Sequence, residues 1–283
     1  MKAKKDKLKN FYYMILNVKI QGNKEATVEE YRNLFEKAFT KRMIVNCGKK
    51  YFVIMRQLVN QDRLPYVFGL LCRFTKLNNI VDTNKLELDN TKTTLSGKPI
   101  NGEDTSFIFY PDLHRIAIRT GQPLSIKTSQ KIFADILSSV IDDDKNVVVE
   151  LEQSIDSFKK IISSKKIKKI IITVTPTNAD INKNSIAFMD KELKKARLKK
   201  AYISLEALPN ESIDISSGDV VGGLIGLSES NGTVSAYTET KEKKDKVLST
   251  EHYPLEVKVT AKDAEKAREE LYNKIKGLKN KKK

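Results

Sequence analysis

The residues with the clearest chemical potential are Glu256 and Lys258, separated by Val257 in an alternating run. That triplet has the form of one half of a metal-dependent nuclease core, where carboxylates hold magnesium and the lysine stabilises the attacking group. Such a core needs an upstream aspartate, and Asp245 and Asp219 are the nearest candidates. The solvent face of a strand in a lysine-rich chain looks the same, and that reading is preferred. Asp142, Asp144 and Asn146 open like a calcium loop. Val147, however, stands where such a loop needs glycine, and its twelfth position carries no glutamate. The glycines from Gly218 to Gly226 lack both the Lys-Ser/Thr pair of a P-loop and the spacing of a dinucleotide-binding turn. They read as a bent, closely packed strand. His114 and His252 stand far apart, and Cys47 and Cys72 lie in apolar runs. No catalytic residue, metal site or cofactor is assigned on these grounds, and an enzyme is kept only as the nuclease alternative.

The basic residues are the stronger signal. Lys and Arg number 52 against 36 Asp and Glu in 283 residues, a formal net charge of +16. Such an excess does nothing for folding and points to an anionic partner. It is clustered. Lys159, Lys160, Lys165, Lys166, Lys168 and Lys169 bracket one helix-to-strand turn. Lys191, Lys194, Lys195, Arg197, Lys199 and Lys200 crowd the end of the next helix. Lys241, Lys243, Lys244 and Lys246 sit in a hairpin loop, and both chain ends are basic. If the strands that follow the first two clusters are neighbours, those clusters merge into one field. Point charges of this kind neutralise phosphates without reading bases, and the dominance of Lys over Arg favours loose backbone contact. Aromatic residues interleaved with these lysines are not evident, so duplex is preferred over single-strand binding. The bland reading of any one cluster is a solvated face complementing a helix dipole.

These residues need elements to hold them. Phe11 to Ile20 reads as a strand, and Thr27 with Glu30 as a capping box opening a helix through Leu34, Phe35 and Ala38. Met43–Cys47 with Tyr51–Val59, and Phe107–Tyr110 with Arg115–Arg119, read as hairpins. Pro65–Phe74 is a further apolar run, and residues 78–102 read as a loop. Thr128 is expected to cap a helix carrying Ile132, Phe133, Ile136 and Leu137. The second half predicts strands at Val147–Leu151, Ile167–Thr175, Tyr202–Leu205, Val220–Leu227 and Thr233–Thr240, and an extended run from Val247 to Thr260. Helices are expected over Ile155–Ile162, from Ile186 to about Lys200, and from Thr260 and Asp263 to a stop at Gly277. The order predicts an α+β fold with two lobes, mixed or antiparallel sheets, hairpins and flanking helices, divided into residues 1–145 and 146–283. No apolar run approaches the length of a membrane span, so no membrane insertion is expected. Two cysteines and no secretory leader predict a reducing, cytoplasmic setting.

Three stretches carry a resemblance. They are the Phe107–Tyr110/Arg115–Arg119 hairpin, the segment Thr173-Val-Thr-Pro-Thr-Asn178 before a Lys-rich helix, and the basic C-terminal helix. Together they resemble a family of bacterial and phage proteins of unknown function that share a T-P-T-N segment. They are also similar to the RexA exclusion proteins of lambdoid phages. The resemblance implies a two-lobed fold related to the recombination regulator RdgC, nonspecific duplex DNA binding, a homodimer and a role in phage exclusion. No catalytic residue carries over. The reading is a sequence-independent DNA-binding protein. The alternatives are a magnesium-dependent nuclease using Glu256 and Lys258, or a protein-interaction subunit of a defence or toxin system.

Overall fold

The computed structural model describes residues 8–22, 24–75, 80–82, 87–89, 100–164, 166–175, 184–196, 198, 200–215, 219–239 and 245–281. The chain begins with β1 (Lys9–Gln21), then α1 (Val28–Lys41), β2 (Val45–Asn46), β3 (Tyr51–Asn60) and β4 (Val67–Thr75). Two short strands, β5 (Ile80–Asp82) and β6 (Glu87–Asp89), pair with each other where a loop is expected. β7 (Ile100–Tyr110) and β8 (Arg115–Arg119) form the expected hairpin, followed by α2 (Ile126–Ser138) and β9 (Asn146–Leu151). Next come α3 (Ile155–Ile162), β10 (Ile167–Val174), α4 (Asn184–Lys195) and β11 (Ala201–Glu206). The chain ends with α5 (Asp219–Asn231), β12 (Gly232–Glu239), β13 (Asp245–Ser249), β14 (Glu256–Ala261) and α6 (Ala264–Lys281). Every strand pair among the described residues is antiparallel, and the class is α+β.

The larger sheet has the order β14-β1-β8-β7-β4-β3-β2, with β9 also on β1. Lys9–Met14 of β1 pair with β14 and Leu16–Gln21 with β9, while Tyr13–Asn17 pair with β8. Two of these partners therefore share one edge of β1, end to end, and the third takes the other edge. Backbone bonds from Glu152 N to Ile15 O (2.9 Å) and from Leu255 N to Glu152 O (2.7 Å) splice the join. Alternation then divides the side chains of β1 between two cores. Leu16, Val18 and Ile20 face a core built with Tyr31, Leu34 and Phe35 of α1 and Ile132, Phe133 and Ile136 of α2. Phe11, Tyr13 and Ile15 face a second core under Ala267, Leu271 and Ile275 of α6.

The smaller sheet has the order β11-β10-β12-β13. Its inner face, Ile170, Ile172 and Val174 with Val234 and Ala236, packs on Phe158 and Ile161 of α3 and Leu224, Ile225 and Leu227 of α5. The chain between β9 and β14 builds this sheet and then returns to β1.

Local chemistry explains where expectation held and where it failed. The Thr27 side chain accepts from Glu30 N (3.2 Å) and the Glu30 carboxylate accepts from Thr27 N (2.7 Å), so the reciprocal capping box is present. α2 is capped by Ser125 rather than Thr128; the Ser125 hydroxyl accepts from Thr128 N at 3.2 Å, which makes Thr128 the third helical residue. Val220–Leu227 is helical, within α5, not a strand. A short apolar run reads equally well either way, and burial of Leu224, Ile225 and Leu227 against the smaller sheet decides it. The run from Val247 to Thr260 is broken by a 3-10 turn at Thr250–His252, and its two strands join different sheets. Gly277 does not stop α6, which continues to Lys281. Helix dihedrals cost glycine only entropy, so nothing at that position enforces an end.

Two glycines should respond oppositely to alanine. A Cβ at Gly232 would lie 1.8 Å from the Thr173 carbonyl oxygen, where α5 hands the chain to β12. Gly232→Ala should lower stability by at least about 1–3 kcal/mol. A Cβ at Gly277 meets nothing within 4 Å. Gly277→Ala should raise stability by about 0.5–1 kcal/mol, measured by denaturant unfolding. A loss at Gly277 would show that the residue ends the helix after all.

Candidate functional site

β10 and β11 are neighbours, but their antiparallel register separates the lysine clusters. Lys169 pairs with Glu206 and Val174 with Ala201. Lys166, Lys168 and Lys169 therefore stand where β10 begins, with Lys159 and Lys160 in the last turn of α3 just before it, whereas Lys191, Lys194 and Lys195 of α4 and Lys200 precede β11 towards the far end of β10. The strand between them spans about 23 Å at roughly 3.3 Å per residue, more than two Debye lengths at physiological salt. Two fields result, not the single merged field that adjacency alone suggested. Lys165, Arg197, Lys199, Lys241, Lys243 and Lys244 lie outside the described residues, and Lys246 stands in β13 opposite Thr238.

Many of these lysines already meet carboxylates. Ion pairs join Lys159 to Asp156 (3.8 Å), Lys169 to Glu206 (2.6 Å) and Lys195 to Glu192 (2.6 Å). The contact with Glu206 raises the Lys169 pKa and lowers that of Glu206. All three pairs are substantially exposed, and such pairs contribute little to stability, so the ammonium groups can exchange partners. Lys194 and Lys200 differ, because their partners Asp190 (2.7 Å) and Glu150 (3.5 Å) are buried.

The outer face of the smaller sheet carries no helix from the core that covers its inner face. Register places Tyr202, Thr173 and Thr233 in one row across it, and Glu206, Lys169 and Tyr237 in another. Tyr202 is 73% exposed, and the Lys200 ammonium lies 5.6 Å from its ring centroid. The Lys160 ammonium lies 5.0 Å from the Tyr253 ring. Aromatic rings do therefore stand beside the lysines, contrary to the sequence reading. The Lys200–Tyr202 pair was legible as an i, i+2 pair at a strand start. Tyr253 comes from a distant segment and was not.

Sequence reasoning missed a buried polar seam between the sheets. Along one face of β1 the apolar series Phe11, Tyr13, Ile15 continues as Asn17 and Lys19, only 8% and 3% exposed. Glu150 of β9 is paired opposite Asn17. Its Oε1 accepts a 2.7 Å hydrogen bond from the Thr175 hydroxyl at the end of β10. Beside it the Arg115–Glu152 ion pair is buried, with Nε to Oε2 at 2.7 Å and Arg115 also donating to Leu113 O. Burial lowers the Lys19 pKa to about 7, although Glu150 and Asp190 pull it up; Arg115 and Lys194 push it further down. Polar residues alternating in a strand read as a solvent face, so nothing in the sequence marked them as buried.

The remaining sequence candidates disperse. Glu256 and Lys258 lie on the exposed alternate positions of β14, and the Lys258 ammonium sits 5.7 Å from the Tyr12 ring. Asp245 and Asp219 stand in β13 and α5, elements of the other sheet and its helical layer. Asp142 pairs with Lys37 (3.2 Å) and Lys145 (3.6 Å). His114 stacks on Tyr31 with centroids 4.5 Å apart. Among the described residues no three His, Cys, Asp or Glu side chains gather to hold a metal ion. No helix among them is long and apolar enough to cross a membrane.

Fold and site thus define an antiparallel α+β protein whose two main sheets meet across a charged seam. The model of a domain of unknown function, DUF4747, matches residues 9–277, and the chain belongs to that family. That span covers every described strand and most of α6. No curated protein matches the sequence.

The seam should respond to pH through Lys19. Its folded pKa of about 7 lies below the ordinary 10.5. Between those values the unfolded chain holds one proton more than the native chain, so this group makes stability rise with pH. The thermal midpoint of the wild type relative to Lys19→Met should therefore climb between pH 7 and 10. A difference independent of pH would show that Lys19 titrates normally.

Proposed function

We propose that this protein is a non-enzymatic, cytoplasmic, sequence-independent binder of duplex DNA, acting as a homodimer. The observation that carries this reading is the pair of lysine fields at opposite ends of β10, with an outer sheet face between them. A duplex laid along that strand advances about 3.4 Å per base pair, so about seven base pairs reach from one field to the other. The lysines there are point charges on flexible stems, three of them in exposed and exchangeable ion pairs, which suits phosphate contact better than base recognition. Phage exclusion, the role attached to this binding, comes from the resemblance to RexA and RdgC and is part of the proposal.

Fluorescence anisotropy with labelled duplexes tests it. Affinity should fall steeply with salt, by about 0.9 in log–log slope per phosphate contact, and vary little with sequence. A six-base-pair duplex should show a shallower slope than a twelve-base-pair one, because it reaches one field only. Lys159→Glu with Lys160→Glu, and separately Lys191→Glu with Lys195→Glu, should each flatten the slope for the longer duplex. A flat salt dependence, or no binding at low salt, defeats the proposal. Sedimentation equilibrium giving a monomer at every concentration removes the homodimer from it.

A further inference from the structure

A cleft of about 320 Å³ opens where the two sheets meet. Glu150 and Gln153 line it from the end of β9 and the bridge beyond, Thr173, Lys200 and Tyr202 from the smaller sheet, and Lys127 from the first turn of α2. Two of these residues are deeply buried and incompletely bonded. Glu150, 8% exposed, gives Oε1 to Thr175 and Lys200, while Oε2 has no hydrogen-bond partner. Gln153, 2% exposed, donates from Nε2 to Leu151 O at 3.0 Å, and its Oε1 has none. The amide cannot be turned to remove the problem, because the Leu151 carbonyl needs a donor.

Two buried acceptors without a protein donor, in one cleft, suit a ligand that brings N–H or O–H groups. The neighbouring groups narrow its chemistry. Tyr202 offers an exposed flat ring, on which a planar heterocycle can stack. Lys200 stands between that ring and Glu150, and exposed Lys127 adds a second cation for an anionic substituent, against one further carboxylate in the lining, Glu251. Donors on a planar ring carrying an anion describe a nucleotide with an exocyclic amino group. We propose that this cleft binds one unstacked nucleotide whose base is adenine, cytosine or guanine, with the amino group on Glu150 and Gln153, the base on Tyr202 and the phosphate on Lys127 and Lys200. Carboxylates accept from cytosine N4 in the same way in duplex recognition. Uracil and thymine carry no amino group and leave an acceptor unpaired.

The inference deepens the nucleic-acid reading and rests on it only for the source of the nucleotide, which is either free or at the end of a strand. Calorimetry with the full chain, using CMP, AMP, GMP and UMP, tests the cleft itself. The three aminated nucleotides should bind at least tenfold tighter than UMP, and cytidine should keep its preference over uridine without any phosphate. Tyr202→Ala, at an exposed position, should weaken all of them at least fivefold, and Glu150→Gln should erode the preference between bases. Equal affinity for CMP and UMP, or no binding of any nucleotide at millimolar concentration, overturns the proposal. Duplexes with a single 3′ dC or dT overhang separate the sources. A preference for dC that Tyr202→Ala abolishes assigns the cleft to strand ends, whereas blunt-like binding alongside tight CMP binding assigns it to free nucleotides. Salt-dependent duplex binding without any mononucleotide binding sinks the cleft proposal alone. The opposite result sinks only the duplex reading.

Discussion

Everything in this fold depends on β1 being longer than any of its partners. Thirteen residues of strand accommodate β14 and β9 in succession on one edge and β8 on the other. Among the described residues no other strand meets three, and the consequence is chemical as well as topological. The face that begins as Phe11, Tyr13 and Ile15 under α6 runs beyond the reach of that helix and becomes Asn17 and Lys19. An uncovered strand end would leave those two side chains in water. Here Asp190 of α4 and Glu150 of β9 stand close to Lys19, so the lysine is buried beside carboxylates. Desolvating an ion costs several kcal/mol, and only nearby opposite charge and hydrogen bonds offset it. Glu150 and Asp190 supply the charge, and Thr175 fixes the Glu150 carboxylate.

What the sequence disclosed and what it hid follow from this arrangement. Elements governed by neighbours in the chain were legible. Thr27 and Glu30 are three residues apart and satisfy each other; Phe107–Tyr110 and Arg115–Arg119 are joined by one turn; Ile132, Phe133 and Ile136 share one helical stripe. Features governed by distant contacts were not. Whether Val220–Leu227 became strand or helix was decided by a surface made of β10 and β12, and the end of α6 by the absence of any αL residue at Gly277. Neither leaves a local trace. The lysine clusters illustrate a third case, in which one condition for a merged field is met and another is not. The strands that follow them are neighbours, yet strand direction, which no residue spacing encodes, sets the two clusters apart.

The net charge of +16 also divides into parts with different physics. Lys159, Lys169 and Lys195 stand in exposed pairs whose stability is close to zero net, so their charge is available to any polyanion that offers better geometry. Lys194 and Lys200 hold down buried acids, and moving them would strand a carboxylate in a poorly solvated place. A count of lysines treats these as equivalent. The structure makes the first group a mobile surface charge and the second a fixed part of the seam.

Lys200 joins those two roles, and Glu150 joins them again from the other side. One oxygen of Glu150 receives Thr175 and Lys200, which ties the end of β10 to β9; the other is an unpaired acceptor. A donor reaching that second oxygen would share a carboxylate that already couples the sheets and that helps set the charge state of Lys19. Anything that binds the native seam and not the unfolded chain stabilises the fold in proportion to its occupancy. Because the carboxylate is common to both, that stabilisation acts on the contact between the sheets rather than on either sheet alone. The free oxygen of Glu150 thus lies where a donor would act on the contact between the two sheets.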